Sequence, residues 1–177
     1  QLEYTWLRSL MKRHKNFWDV TEDSLEKSMK VFNINKNIKN ELLSLYKILS
    51  PYPEVRGVLE DLKKKNFKLA ILSNGTPDLL NELVESNKLN NLFDDLFSIE
   101  EVKVFKPDSR VYELPIKKYR IKSDEITFLS ANTWDVSGGG NFGYNSIWVN
   151  RYNSVFDILD FQPKNEISNL TQLLDKV

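Results

Sequence analysis

Lys68-Leu69-Ala70-Ile71-Leu72-Ser73-Asn74-Gly75-Thr76-Pro77 is the stretch that decides the fold. The nearly unbroken apolar run through Leu72 predicts a short strand buried on both faces, as strands of a parallel sheet are. Thr76 is a residue type that caps helices and Pro77 suits the first helical position, so a helix follows at once, with Leu79, Leu80, Leu83 and Val84 on its inner face. Before this unit, Val55, Val58, Leu59 and Leu62 form another helical stripe, closed by Lys63-Lys64-Lys65 where cations favour the carboxyl end of the helix dipole. After it, further strands are expected at Leu96-Ile99, Ile126-Ser130, Ser146-Asn150 and near Glu166-Ser168, with helices beginning near Ser109, Thr133 and Leu170. Alternating strands and helices predict an α/β protein with a doubly wound parallel sheet. Pro115, inside the helix expected from Ser109, should kink or end it.

The first fifty residues read differently. Leu2, Trp6, Leu10 and Met11, then Leu25, Met29 and Phe32, then Ile38, Leu42, Leu45, Tyr46 and Leu49 recur at helical spacing, and Thr21 suits the cap of the second helix. Ser50-Pro51-Tyr52-Pro53 interrupts helix propagation. The expected organisation is a helical cap subdomain over 1–52 and an α/β core over 53–177.

Composition narrows the function classes. The 25 basic and 25 acidic residues cancel, leaving no positive field for nucleic acid or an anionic membrane surface. With no Cys there are no disulfides, thiolate nucleophiles or thiolate metal ligands, which fits a cytoplasmic protein. No apolar run approaches the ~18 residues of a membrane span. His14 is the only histidine and sits among Lys12, Arg13 and Lys15, a surface stretch by its composition, with no role expected. Gly138-Gly139-Gly140 fits no nucleotide fingerprint and is expected to allow close helix packing.

Three polar clusters end the apolar runs: Ser73-Asn74-Gly75, Lys106-Pro107-Asp108, and Ser130-Ala131-Asn132-Thr133-Trp134-Asp135. In open α/β sheets ligands bind beyond the carboxyl ends of the strands, so such clusters can line one pocket. Taken alone, Ser-Asn-Gly reads as an ordinary turn and Lys106 as a solvated loop lysine. Asp135 reads either as a general base acting on water or as a common acid in the first turn of a helix.

In combination these clusters, with Arg110-Val111-Tyr112-Glu113, Gly138, Phe142-Gly143 and Trp148-Val149-Asn150-Arg151, resemble the haloacid dehalogenase superfamily, and within it the L-2-haloacid dehalogenase branch. The resemblance covers essentially the whole chain, from Gln1-Leu2-Glu3-Tyr4-Thr5-Trp6 onward. It implies a Rossmann-like core with a helical cap and hydrolysis of small (S)-2-haloacids to (R)-2-hydroxyacids through an aspartyl ester. By matching position, Ser73 and Lys106 would hold the substrate carboxylate and the nucleophile, and Asn74 would bind the departing halide. Tyr112, Ser130, Asn132 and Asp135 would complete the catalytic set, and Leu2, Phe17 and Trp134 would line the apolar substrate pocket. No cofactor or metal is implied, the substrate is the only small-molecule partner, and a homodimer is possible.

The family's nucleophile lies in an Asp-x-Tyr-Gly-Thr motif at the end of its first strand, and that motif does not occur in these 177 residues. The chain is therefore expected to be an N-terminal truncation, inactive by itself and lacking the first strand of its sheet. Two alternatives share the fold: a Mg-dependent phosphatase and a catalytically inactive binding relative. Phosphatases of the superfamily carry an acidic pair at the third cluster, where Asn132 here is neutral.

Overall fold

A computed structural model of the chain describes all 177 residues, Gln1–Val177. In chain order the elements are α1 (Leu2–Leu10), α2 (Phe17–Val31), α3 (Lys39–Ser44), α4 (Val55–Lys64), β1 (Ala70–Ser73), α5 (Pro77–Ser86) and β2 (Asp95–Ser98), followed by α6 (Ser109–Tyr119), β3 (Thr127–Ser130), α7 (Thr133–Phe142), β4 (Asn145–Val149) and β5 (Asn165–Ile167). Short 3-10 turns at Ile99–Glu101, Ser123–Glu125 and Leu170–Asp175 finish several connections. This is the parallel α/β, Rossmann-like fold that the sequence predicts, and no helix is long and apolar enough to cross a membrane. The chain forms two compact units, 1–51 with 69–105 and 52–68 with 106–177.

In the first unit, β1 and β2 pair in parallel with Ala70 opposite Asp95 and Ser73 opposite Ser98. The crossover helix α5 starts as its sequence demands: the Thr76 side chain accepts from Leu79 N, and Pro77 takes the first helical position. Leu79, Leu80 and Val84 are its buried face. The helical segment is organised around α2, whose Val20 and Thr21 are almost fully buried. Asn16 caps this helix by accepting from Asp19 N at 2.8 Å. Thr21 is not the cap expected of it; it lies one turn inside, with its hydroxyl returned to Phe17 O at 2.8 Å. Such back-bonding is how a buried threonine satisfies its hydroxyl within a helix.

In the second unit, β3, β4 and β5 form a parallel sheet with β4 in the centre. All of β4 after Asn145 is buried, as a central strand should be. By contrast, Thr127 is exposed and the rest of β3 only half-buried, and β1 shows the same pattern from Ala70 onward. Burial on both faces, expected for β1, is not observed. β1 and β3 each pair with a single neighbour and so keep one open edge.

Helix α6 runs through Pro115 to Tyr119 instead of ending there. Proline deprives one preceding carbonyl of its donor and crowds the backbone, at a cost of about 3 kcal/mol. Burial of Val111, Tyr112, Leu114 and Pro115 offsets that, and Tyr144 donates its hydroxyl to Tyr112 O beside the gap. Helix α4 is tied in from far along the chain. Glu54 accepts from the Arg151 guanidinium at 2.6 Å and from Leu170 N at 3.4 Å, Arg151 stacks 3.7 Å above the Tyr52 ring, and Lys65 Nζ reaches Leu174 O at 3.3 Å.

Candidate functional site

Three of the expected site residues meet inside the second unit. Lys106, at 5% exposure, donates from Nζ to Asp135 Oδ2 at 2.8 Å, and the fully buried Tyr112 donates from Oη to Asp135 Oδ1 at 2.8 Å. Asp135, itself 4% exposed, thus has both oxygens engaged by donors. Local sequence explains the arrangement. Asp135 sits in the first turn of α7, three residues past Asn132 at the cap position, and Tyr112 sits one turn into α6 after its Asp108 cap. The Lys106 ammonium lies 5.4 Å from the centre of the Phe128 ring, within cation–π range.

Tyr112 is held well above the ordinary phenol range, first by burial and then by the Asp135 charge beside it. It therefore stays protonated and acts only as a donor to the carboxylate. Three rings enclose it: Phe128 edge-on at 5.9 Å, Phe142 at 5.8 Å and Tyr144 edge-on at 5.9 Å. The three glycines of α7 let neighbours approach, as the sequence suggested. A Cβ on Gly138 would lie 2.5 Å from Tyr112 Oη, one on Gly139 2.7 Å from Phe128, and one on Gly140 would clash with the Phe161 ring.

Other expected residues surround this cluster in sequence. Ser130 closes the turn after β3 by accepting from Asn132 N at 3.2 Å, and Asn132 is exposed with no side-chain capping bond. Trp134 is half-buried. In the first unit, Ser73 Oγ accepts from Gly75 N at 3.0 Å, and Asn74 is half-buried in the same turn. Leu2 and Phe17, also half-buried, open α1 and α2, and the Phe17 ring lies 6.5 Å from that of Phe105. The structure thus draws Lys106, Tyr112 and Asp135 of the second unit into one bonded cluster, and Ser73 and Asn74 share a turn in the first unit.

Two supporting residues escaped the sequence reading. Ser98, 3% exposed, donates to Gly75 O at 2.7 Å and so fixes the Ser73-Asn74-Gly75 turn from the neighbouring strand. Tyr144 holds the Tyr112 main chain. Either was detectable only as a polar residue closing a predicted strand or opening the next one. His14 is not the solvated residue expected: its Nε2 lies 2.9 Å from Glu100 Oε2 and its ring 5.6 Å from Phe105.

The family model for haloacid dehalogenase-like hydrolases matches residues 9–149. An (S)-2-haloacid dehalogenase of Pseudomonas putida is 40% identical over 175 residues, 98% of this chain and 77% of that protein. Among solved structures, one described as a dehalogenase superposes with a TM-score of 0.96 at 32% identity, covering 99% of this chain and 79% of that one. An L-2-haloacid dehalogenase from Xanthobacter autotrophicus with chloropropionic acid covalently bound gives 0.90 at 29% identity, over 97% of this chain and 80% of its own. The buried Lys106–Asp135–Tyr112 cluster thus stands in a chain that belongs to the haloacid dehalogenase-like hydrolase family.

Proposed function

We propose that the protein hydrolyses small (S)-2-haloacids to (R)-2-hydroxyacids and halide. The observation that carries this reading is the buried ammonium–carboxylate–phenol cluster, supported by the likeness to proteins named (S)-2-haloacid dehalogenases. In the reaction an aspartate of an Asp-x-Tyr-Gly-Thr strand attacks the halogen-bearing carbon. The carbon–halogen bond breaks, halide leaves with its electron pair and the configuration inverts. Water then adds to the carboxyl carbon of the aspartyl ester and the bond from that carbon to the substrate oxygen breaks; one water proton ends on that oxygen, freeing the hydroxyacid, and the other passes to solvent, which leaves the aspartate ionised.

Asp135 positions that water. Each carboxylate oxygen keeps a lone pair beyond the one it offers to Lys106 or Tyr112. Lys106 supplies a fixed positive charge for substrate and nucleophile carboxylates, and Ser73 and Asn74 take the substrate carboxylate and the halide. Ser130 and Asn132 belong to the catalytic set, and Leu2, Phe17 and Trp134 are the apolar residues that bind substrate. Residues 1–52 serve as cap and 53–177 as core. We place the protein in the cytoplasm, in keeping with its lack of cysteine, with a homodimer as a possible assembly.

The test uses a form of the protein in which an Asp-x-Tyr-Gly-Thr strand precedes Gln1. Halide release from (S)-2-chloropropionate without Mg²⁺, and its loss in Lys106→Met, are the expected results. Phosphate release from an aryl phosphate, dependent on Mg²⁺ and without any halide release, would replace this reading with the phosphatase one.

A further inference from the structure

We infer that Gly138 is a positioning residue for the Lys106–Asp135–Tyr112 cluster: its missing side chain leaves the space in which the Tyr112 hydroxyl meets the Asp135 carboxylate. The inference deepens the proposed function, but its geometry stands independently of any substrate. Gly138 lies inside α7, where glycine costs about 1 kcal/mol relative to alanine. Space, not backbone freedom, explains its presence. A methyl group there would lie 2.5 Å from Tyr112 Oη, 3.1 Å from Tyr112 Cζ and 2.8 Å from Pro107 Cβ, the residue next to Lys106.

None of these neighbours can yield cheaply. The Tyr112 ring is boxed by Phe128, Phe142 and Tyr144, and its main-chain oxygen is held by the Tyr144 hydroxyl. Moving α7 away is no remedy, because Asp135 lies three residues before Gly138 on the same helix face and would move with it. Any relief of the clash therefore lengthens the Tyr112–Asp135 bond. Gly57 provides a contrast: it also lies in a helix, α4, yet a Cβ there meets nothing within 4 Å.

The test compares Gly57→Ala, Gly138→Ala, Tyr112→Phe and the Gly138→Ala/Tyr112→Phe double variant of the 177-residue chain, by urea unfolding and by alkaline titration of tyrosine absorbance. We expect Gly57→Ala to raise the urea midpoint and Gly138→Ala to lower it. The loss should be smaller in the Tyr112→Phe background, which lacks the oxygen 2.5 Å from the new methyl. Gly138→Ala should also bring one phenol into ionisation at lower pH than in the parent, a change absent from the double variant. A general helix-stability role predicts otherwise: Gly138→Ala would raise the midpoint as Gly57→Ala does and leave the titration unchanged, and either result overturns the inference. So does an equal loss with Tyr or Phe at position 112. If Gly138→Ala does not fold, a folded double variant supports the inference, and a double variant that also fails while Tyr112→Phe folds refutes it. These readouts need no haloacid, so a chain that meets them without releasing halide removes only the functional reading.

Discussion

Asp135→Asn is the most revealing single change, because it removes one charge from a pair held out of water. The two side chains are 7% and 5% exposed, so the Lys106 ammonium would lose its counter-charge with almost no solvent to replace it. The new amide also presents N–H where one of two donors, Lys106 Nζ or Tyr112 Oη, now points at an acceptor 2.8 Å away. Breaking a buried pair from one side costs ~3–5 kcal/mol, a large part of the ~5–15 kcal/mol that holds a domain together. At about 2–4 °C per kcal/mol for a chain of this size, the melting temperature should fall by roughly 10 °C. Urea unfolding followed by far-ultraviolet circular dichroism measures the loss, and Lys106→Met/Asp135→Leu, which removes both charges, should recover most of it. A loss under ~1 kcal/mol, the value of a solvent-screened pair, would refute the reasoning. A double variant no better than Asp135→Asn would do so as well.

Ser146 is 5% exposed and its hydroxyl has no partner, so Ser146→Ala should stabilise the chain by about 1 kcal/mol in the same urea assay; a comparable loss would show that the hydroxyl is satisfied. Asp108 is held below the usual carboxylate range, chiefly by the Arg110 side chain, and also caps α6 by accepting from Arg110 N at 3.0 Å. A lowered folded pKa gives stability that is present above the unfolded value of 3.8 and lost as pH falls through the folded one. Asp108→Asn, which keeps a capping oxygen but removes the charge, should therefore cost up to about 1 kcal/mol at pH 7, a deficit that shrinks as pH falls below 3.8. A deficit that persists unchanged in acid would assign the effect to packing.

Much of the fold was legible because strand ends and helix starts are written locally. The run to Leu72 followed by Thr76-Pro77 fixes β1 and α5 without reference to the rest of the chain. Position along a sheet is not local. Ile71 and Phe128 sit in runs as apolar as that of β4, yet they are half-buried because β1 and β3 each keep an open edge. The cap of α2 was misplaced at Thr21 because threonine suits the position as well as Asn16 does. At the site, Lys106, Tyr112 and Asp135 stood out through family pattern, and the structure adds the bonds that join them. Ser98, Tyr144 and the His14–Glu100 pair were missed for a common reason. They act across 23, 32 and 86 residues, two of them through main-chain oxygens that no side-chain motif records.

The long ties of α4 carry a consequence for biosynthesis. Glu54 is bonded to a backbone N–H 116 residues downstream, and Lys65 to a carbonyl 109 residues downstream. A ten-residue helix is too short to persist alone in water. The segment 52–68 must therefore leave the ribosome without its docking partners and wait while 69–105, which belong to the other unit, are made. Maturation of the second unit is completed only when Leu170 and Leu174 become available, and during that interval the apolar face of α4 is the surface a chaperone would shield.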